Sequence, residues 1–211
     1  MKRLTSDEVA VTLSLGGDVQ DRLRAYVDLL GHWQRKINLV GPKTLDEAWT
    51  RHILDSAQLA PLITAAPDGP WVDLGSGAGF PGLVGAIVTG RPVTLVEADV
   101  RKAAFLTRVV GETGAPAEVA VSRIEALAPV GAMLVTARAL APLEKLFGYA
   151  HRHLAPGGQA VFLKGRNLDG ELTQAQKNWI FTSEIFSSRS DPDGVILKVE
   201  GLTLGLEPPA N

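Results

Sequence analysis

A glycine-rich segment between a short apolar run and a helical stretch constrains the fold of this 211-residue chain most strongly. The apolar run covers residues 71–74, the segment from Asp73 to Gly79 reads D-L-G-S-G-A-G, and a helical pattern begins at Gly82. In open α/β sheets, ligands bind at the carboxyl ends of the strands. Alternating glycines let the main chain approach a ligand where a Cβ atom would collide. The segment therefore predicts a ligand-binding loop at the edge of a parallel sheet.

Short β-type runs alternate with helical segments through the rest of the chain. Strands are predicted at residues 71–74, 93–97, 117–121, 133–136, 159–163, 181–186 and 195–199. Helices are predicted between them at residues 82–88, 101–112 and 143–153. This alternation implies right-handed crossovers and a mostly parallel sheet. Because the turn-rich residues 190–194 join the last two runs, we expect an antiparallel hairpin at the end of the sheet.

The first 60 residues have a helical pattern instead. Thr5 to Glu8 matches a capping box that opens a helix. Apolar residues then recur three and four positions apart, which predicts one long helix: Val19, Leu23, Tyr26, Val27, Leu30, Trp33 and Ile37. Gly41-Pro42 is expected to end it, and a second helical stretch covers about residues 46–62. We therefore expect residues 1–66 to form a helical extension packed on an α/β domain of residues 67–211, together one compact body.

Composition excludes several classes of protein. Apolar residues make up 45% of the chain, charged residues 21%, and the net charge is −2, so a nucleic-acid surface must be a local patch. No apolar run approaches the ~20 residues that span a bilayer, and no signal-peptide pattern is present, so we expect a cytoplasmic protein without a membrane partner. The absence of cysteine excludes disulfides, thiolate metal sites and cysteine nucleophiles. No cluster of other ligand types has metal-binding spacing, so no metal is expected.

Two classes of nucleotide cofactor fit the glycine-rich loop. A dinucleotide fingerprint counted from Gly75 needs Gly or Ala at position 80, where this chain has Phe80, so a nicotinamide-dependent oxidoreductase is disfavoured. An acid-x-G-x-G-x-G spacing is satisfied from Asp73 to Gly79 and resembles motif I of methyltransferases that use S-adenosylmethionine. Glu97 ends the second strand, where an acidic side chain binds the ribose hydroxyls of either cofactor. Glu97 therefore supports the fold without choosing the ligand.

If a methyl group is transferred, the sequence limits the acceptor. Methylation of pyrimidine C5 needs a cysteine thiolate, which this chain lacks. Methylation of exocyclic amines usually uses an Asn/Asp-Pro-Pro-aromatic motif after the fourth strand, where this chain reads T-A-R-A-L-A-P from Thr136. Ring nitrogens, ribose hydroxyls, carboxylates and small molecules remain. Guanine N7 is of interest because its bare lone pair needs no general base, so catalysis reduces to alignment and electrostatics.

Several segments, taken in order over about residues 30–165, resemble the RsmG (GidB) family of bacterial 16S rRNA guanine-N7 methyltransferases. R-H-I-L-D-S from Arg51, combined with G-S-G-A-G-F-P-G from Gly75, is the most specific part. The other matching segments are Trp33, Lys36-Ile37-Asn38-Leu39, Leu95-Val96-Glu97, Arg101-Lys102, Phe105-Leu106, Ser122-Arg123-Ile124-Glu125, Ala137-Arg138-Ala139 and Leu163-Lys164-Gly165. The chain departs from the family after Gly82, where many members read Ile-Pro-Leu, and at Arg101, where a paired Lys-Lys is common.

The resemblance implies a Rossmann-like class I methyltransferase fold. This fold has a mostly parallel seven-stranded sheet with an antiparallel last strand, here with an N-terminal helical cap. The resemblance also implies S-adenosylmethionine as cofactor and methylation of N7 of one guanine in the 530 loop of 16S rRNA. The partner would be the small ribosomal subunit, and we expect a monomer. A small-molecule methyltransferase, or a non-catalytic rRNA-binding or assembly protein, remains the alternative.

The loop and the resemblance together indicate the site residues. Expected cofactor-binding residues are Asp73, Gly75, Gly77, Phe80, Glu97, Ile124, Glu125 and Arg138. Expected RNA-binding residues are Lys36, Arg51, Arg101, Lys102, Arg123, Lys164 and Arg166. No catalytic residue is assigned, and the candidates are Arg138, Asn38 and His52.

Three further expectations concern aromatic and histidine side chains. His52 and Asp55 lie one helical turn apart and are expected to orient each other. The target guanine is expected to stack against Phe80 or another aromatic ring. His151 and His153 are expected on the surface at a helix end.

Overall fold

A seven-stranded sheet forms the centre of the computed structural model, which describes residues 3–205. The strands are β1 Trp71–Leu74, β2 Val93–Glu97, β3 Ala117–Val121, β4 Ala132–Arg138, β5 Leu154–Lys164, β6 Trp179–Ser187 and β7 Val195–Leu204. Their order is β3-β2-β1-β4-β5-β7-β6. The first five strands are parallel, and β7 is antiparallel to both β5 and β6. The predicted α/β fold class is confirmed; residues 1, 2 and 206–211 of the predicted domains lie outside the described residues.

Helices cover both faces of this sheet and form the N-terminal region. They are α1 Ser6–Leu13, α2 Gly17–Gln34, α3 Pro42–Leu45, a π-helix Trp49–Leu54, α4 Asp55–Ala57, α5 Ala60–Ala65, α6 Gly82–Thr89, α7 Val100–Thr113, α8 Leu143–His153 and α9 Leu168–Ala175. The capping box at α1 is confirmed, since the Thr5 side chain accepts from the Glu8 amide and Glu8 accepts from the Thr5 amide. No helix within residues 3–205 is long and apolar enough to cross a bilayer.

The N-terminal helices differ from the prediction in two places. The long helix was expected to include Ile37 but ends at Gln34, whose carboxamide accepts from the amides of Leu39 and Val40 and donates to the Val40 carbonyl. The second helical stretch is not one helix but the π-helix followed by α4 and α5. Pro61, in the first turn of α5, has no amide hydrogen to continue a preceding helix, so a new helix begins there.

Two apolar clusters lie on opposite sides of the sheet. Buried residues Leu23, Tyr26 and Leu30 of α2 share one cluster with Phe105 of α7 and with the inner face of α6. The second cluster contains Phe147 and other residues of α8 and the residues of β4, β5 and β7 that face it. The apolar stripe predicted on α2 is therefore buried. It packs the N-terminal helices against α6 and α7, on the face of the sheet where α6 follows the glycine-rich loop.

A hydrogen-bonded relay joins β1 to β4 beneath that loop. The Trp71 indole donates to Thr136 Oγ1 (3.0 Å), and the Thr136 hydroxyl donates to Asp73 Oδ1 (2.6 Å). Asp73 is fully buried, and burial raises its pKa from 3.8 to about 6, although hydrogen bonds from Thr136 and Ser76 oppose the rise. Gly82, the first residue of α6, lies directly above this carboxyl. A Cβ atom at position 82 would lie 2.4 Å from Asp73 Cβ, so a residue larger than glycine would collide with Asp73.

Replacing the buried carboxyl with an amide should change the pH dependence of folding. Because the pKa of Asp73 is raised in the folded state, its ionisation costs stability as the pH rises from about 4 through about 6. Asp73→Asn retains an acceptor for Thr136 and cannot ionise. Relative to wild type, its free energy of unfolding should therefore increase by about 2 kcal/mol between pH 4 and pH 7. Urea unfolding at several pH values measures this difference.

The exposed carboxylate Asp28 offers a matched control, since Asp28→Asn removes one charge without touching the relay. If Asp73→Asn and wild type differ by the same free energy at every pH in this range, the ionisation of buried Asp73 does not limit stability.

Candidate functional site

The loop after β1 has a backbone that only glycine adopts readily. Gly75, Gly77 and Gly79 have φ angles of +64°, +58° and +95°. A Cβ atom at Gly75 would lie 2.5 Å from Leu140 Cδ1, whereas one at Gly77 would meet nothing nearer than the Gly75 carbonyl oxygen at 3.8 Å. The main chain at Gly77 therefore borders open space, which belongs to a cavity at the carboxyl ends of the central strands.

This cavity, here called cavity A, has a volume of about 510 Å³. Seven of the eight residues predicted to bind a cofactor line it: Gly75, Gly77, Phe80, Glu97, Ile124, Glu125 and Arg138. Sequence reasoning missed other lining residues, including Leu39, Ser122 and Tyr149. Leu39 and Ser122 belong to segments already noted for the family resemblance, but Tyr149 lies on α8 outside any motif. Cavity A therefore joins six separate parts of the chain, at residue 39 and within residues 75–80, 96–102, 122–125, 138–140 and 145–149.

Asp73 is the exception and requires a correction. Its side chain was expected to contact a cofactor, but it is fully buried beneath the loop and does not line cavity A. The reason is the strand alternation, which directs the Asp73 side chain toward Thr136 and α6. The acidic residue at the start of the loop therefore supports the loop from below.

Glu97, in contrast to Asp73, lines cavity A, and each of its carboxylate oxygens accepts a hydrogen bond from a backbone amide. Oε2 accepts from the Gly77 amide (2.8 Å), and Oε1 accepts from the Asp99 amide (2.7 Å). Each carboxylate oxygen offers two lone-pair positions, so one on each oxygen stays available for an external hydroxyl. Glu97 thus fixes the loop to the end of β2 and retains the capacity to bind a diol.

Phe80 contributes to the interior of the site and is not a free surface. It is 4% exposed, and its ring stacks on Tyr26 (5.5 Å between centroids) and on His52 (4.9 Å). The Arg138 guanidinium carbon lies 4.8 Å from the centre of the same ring. The expectation that a guanine stacks on Phe80 is therefore wrong, because the ring is already stacked and buried.

Arg138 links β4 to the N-terminal helices. Its guanidinium donates to Asp55 Oδ2 (3.0 Å), to the Arg51 carbonyl (3.0 Å) and to His52 Nδ1 (3.1 Å). The Arg138 and Asp55 side chains are only 17% and 16% exposed, so the ion pair is largely removed from water. Asp55 also accepts from the Ser190 hydroxyl (2.5 Å). His52 and Asp55 therefore do not orient each other as expected; each binds Arg138.

The contacts of His52 define its protonation state. A guanidinium only donates, so Nδ1 accepts and the proton lies on Nε2, which donates to Thr44 Oγ1 (2.9 Å). The Thr44 hydroxyl in turn donates to the Gly41 carbonyl. Burial, followed by the charges of Arg138 and Arg51, lowers the pKa of His52 to about 3. His52 is therefore neutral near pH 7, with both nitrogens engaged, and is poorly suited to accept a proton.

The basic residues expected to bind RNA fall into two groups. Four have carboxylate partners: Arg51 with Asp191 (3.6 Å), Arg101 with Asp99 (3.2 Å), Lys164 with Glu171 (2.6 Å) and Arg166 with Asp193. The other three, Lys36, Lys102 and Arg123, have no ion pair with any residue in the described part of the chain. Lys102 and Arg123 both line cavity A, where the charge of Arg123 also acts on the neighbouring Glu125 and helps to lower its pKa.

Two smaller cavities adjoin cavity A at Arg138 and Ala139. One of about 370 Å³ lies against the π-helix and includes Arg51, and the other, of about 470 Å³, includes Lys164. Asn38, a catalytic candidate, is exposed and lines none of the three cavities. Within residues 3–205, no three His, Asp or Glu side chains are placed to hold a metal ion.

The two histidines expected on the surface of α8 differ. His151 is exposed, but His153 is fully buried, and its ring bonds to the Ile124 carbonyl (3.1 Å between Nε2 and O). The helix period places His153 beside the core-facing Ala150, so the helix end is not solvated on that side.

Comparisons with known proteins identify the family and the fold. A family model, GidB, described as rRNA small subunit methyltransferase G, matches residues 19–190. Ribosomal RNA small subunit methyltransferase G of Paramagnetospirillum magneticum is 48% identical over 203 residues, which cover 96% of this chain and 98% of the relative.

Two solved structures share the fold at low sequence identity. The glycopeptide N-methyltransferase MtfA, complexed with sinefungin, is 12% identical with a TM-score of 0.59 over 71% of this chain and 94% of that chain. The ribosomal protein L11 methylase of Lactobacillus delbrueckii subsp. bulgaricus is 19% identical with a TM-score of 0.54 over 69% and 77%. With the family model matching most of the chain, the protein belongs to the GidB family of ribosomal RNA small subunit methyltransferase G proteins.

Proposed function

We propose that this protein uses S-adenosylmethionine to methylate N7 of one guanine in the 530 loop of 16S rRNA. The observation that carries the proposal is the pairing of the bare Gly77 main chain with the Glu97 carboxylate in cavity A. Membership of the GidB family supports the rRNA substrate.

The residues of cavity A fit an S-adenosyl nucleoside. A volume of about 510 Å³ lies within the range of small-molecule sites. The available lone pairs of Glu97 suit the two ribose hydroxyls, and Ile124 and Glu125 lie at the end of the neighbouring strand, where the adenine edge is expected. Sinefungin, present in the MtfA structure, is an analogue of S-adenosylmethionine. When bound, the cofactor supplies an electrophilic methyl group on a sulfonium.

The protonation states around cavity A favour an acceptor that needs no base. His52 is neutral with both nitrogens engaged, and Glu97 is bonded to two amides. Glu125 accepts from the Tyr149 hydroxyl, and this hydrogen bond lowers the pKa of Glu125. None of these groups is well suited to remove a proton. The N7 lone pair of guanine attacks without losing one, so these residues need only orient the reactants and exclude water.

The rim of cavity A supports an RNA acceptor. Lys102 and Arg123 provide positive charge that is not held in an ion pair, which suits phosphate groups. The adjoining cavities at Arg138 leave room for a base turned out of an RNA loop beside the cofactor. The positive charge of Lys102 and Arg123 is local, so it can attract RNA although the net charge of the whole chain is −2.

Changing Glu97 should weaken binding of the product S-adenosylhomocysteine. Glu97→Ala removes the carboxylate that fixes the loop and that binds the ribose, so the dissociation constant should rise at least about tenfold. Titration calorimetry measures the change, and Glu118→Ala, the same substitution at an exposed glutamate on β3, is the matched control. Equal affinity of Glu97→Ala and wild type would contradict the cofactor site. Protection of wild type against thermal unfolding by NAD, without protection by S-adenosylhomocysteine, would instead favour an oxidoreductase.

The acceptor is tested with labelled S-adenosylmethionine and rRNA that lacks the modification. Wild type should produce N7-methylguanine in the 530 loop of 16S rRNA, in naked rRNA or in 30S particles from a deletion strain, and Glu97→Ala should produce little. Nucleoside analysis and site-specific cleavage identify the base and its position. A label in another nucleoside, or none in RNA despite cofactor binding, would reject the proposed acceptor and favour a small-molecule substrate.

A further inference from the structure

One face of helix α8 holds a wall of cavity A through three hydrogen bonds. The wall is the segment of residues 122–127, which follows β3 and supplies Ser122, Arg123, Ile124 and Glu125 to the cavity lining. The bonds run from Tyr149 Oη to Glu125 Oε1 (2.6 Å), from Arg152 Nη2 to the Leu127 carbonyl (3.0 Å) and from His153 Nε2 to the Ile124 carbonyl (3.1 Å). No motif in the sequence pointed to this face of α8.

The helix period explains why these three side chains act together. Tyr149, Arg152 and His153 are three and four positions apart, so they lie on one side of α8. The neighbouring side of the helix carries Phe147 and Ala150, which are fully buried in the second apolar cluster. Because that packing fixes the helix, the three donors form a rigid support for residues 122–127.

His153 is the most constrained of the three. It is fully buried, and a carbonyl oxygen only accepts, so Nε2 carries the proton that is shared with Ile124. Burial lowers the pKa of His153, which keeps the ring neutral, and Nδ1 has no hydrogen-bond partner among the described residues. A buried acceptor without a partner costs stability. An apolar side chain at this position would avoid that cost. The hydrogen bond to the Ile124 carbonyl is therefore the contact that explains why a polar ring is buried here.

We propose that His153 is a positioning residue for cofactor binding, which holds the Ile124 carbonyl and with it residues 122–127 against cavity A. The inference rests on the proposed function, since it takes cavity A as the nucleoside site. His153 does not line the cavity and acts only through Ile124.

Three variants separate positioning from general stability. His153→Leu removes the donor, whereas His153→Gln retains an amide N–H to bond the Ile124 carbonyl. His151→Leu makes the same leucine substitution at an exposed position of the same helix, where no bond to residues 122–127 exists. His153→Leu removes the unpartnered ring nitrogen Nδ1 but leaves the Ile124 carbonyl oxygen without its donor. Because the number of buried acceptors without a partner stays the same, the melting temperature should change little.

Hydrogen–deuterium exchange without ligand tests the support directly. In His153→Leu, amides of residues 122–127 should exchange about tenfold faster, while those of the glycine-rich loop should not change. The dissociation constant for S-adenosylhomocysteine and the KM for S-adenosylmethionine should rise about five- to tenfold, with kcat unchanged at saturation. His153→Gln should remain within about threefold of wild type, and His151→Leu should match wild type.

Exchange and affinity at wild-type levels in His153→Leu would overturn the inference. Faster exchange throughout the protein, or a loss in His153→Gln equal to that in His153→Leu, would also overturn it in favour of a merely structural role. If His153→Leu does not fold, Arg152→Gln removes the Leu127 bond from an exposed side chain and should loosen the same residues. Failure of wild type itself to bind S-adenosylhomocysteine would reject the proposed function, a result distinct from unchanged exchange.

Discussion

The hydrogen bonds that Glu97 makes to the amides of Gly77 and Asp99 determine the shape of the site. They join the end of β2 to the loop that follows β1, and so hold the main chain of Gly77 at the edge of cavity A. The loop adopts this path only because its three glycines tolerate positive φ angles. Asp73 completes the arrangement from below, where it ties β1 to β4 through Thr136.

The N-terminal helices complete the site from the other side. Arg138, at the end of β4, binds Asp55 and His52, and the His52 ring stacks on Phe80 of the loop. Tyr26 of α2 stacks on the same ring. The charge of Arg138 is thus largely used for structure, whereas Lys102 and Arg123 line cavity A without forming an ion pair.

Local patterns in the sequence predicted the sheet and the loop, because strand alternation and glycine spacing act over few residues, whereas Ile124, Glu125 and Arg138 were expected from the family resemblance. The glycine spacing indicated that Gly75 and Gly77 form the loop. Glu97 was predicted as a site residue because it ends the next strand. The roles of Phe80 and His153 could not be read in this way. Phe80 is buried by Tyr26 and His52 from distant helices, and His153 is buried by the packing of α8. The burial of Phe80 leaves no spacing signal, whereas the helix period of α8 places His153 beside the core-facing Ala150 and could have indicated its burial.

A crystal structure with S-adenosylhomocysteine tests the central claim most directly. The nucleoside should lie in cavity A, with its ribose hydroxyls about 2.6–3.2 Å from the Glu97 carboxylate and its adenine beside Ile124. A nucleoside bound elsewhere, or one whose ribose makes no contact with Glu97, would contradict the account.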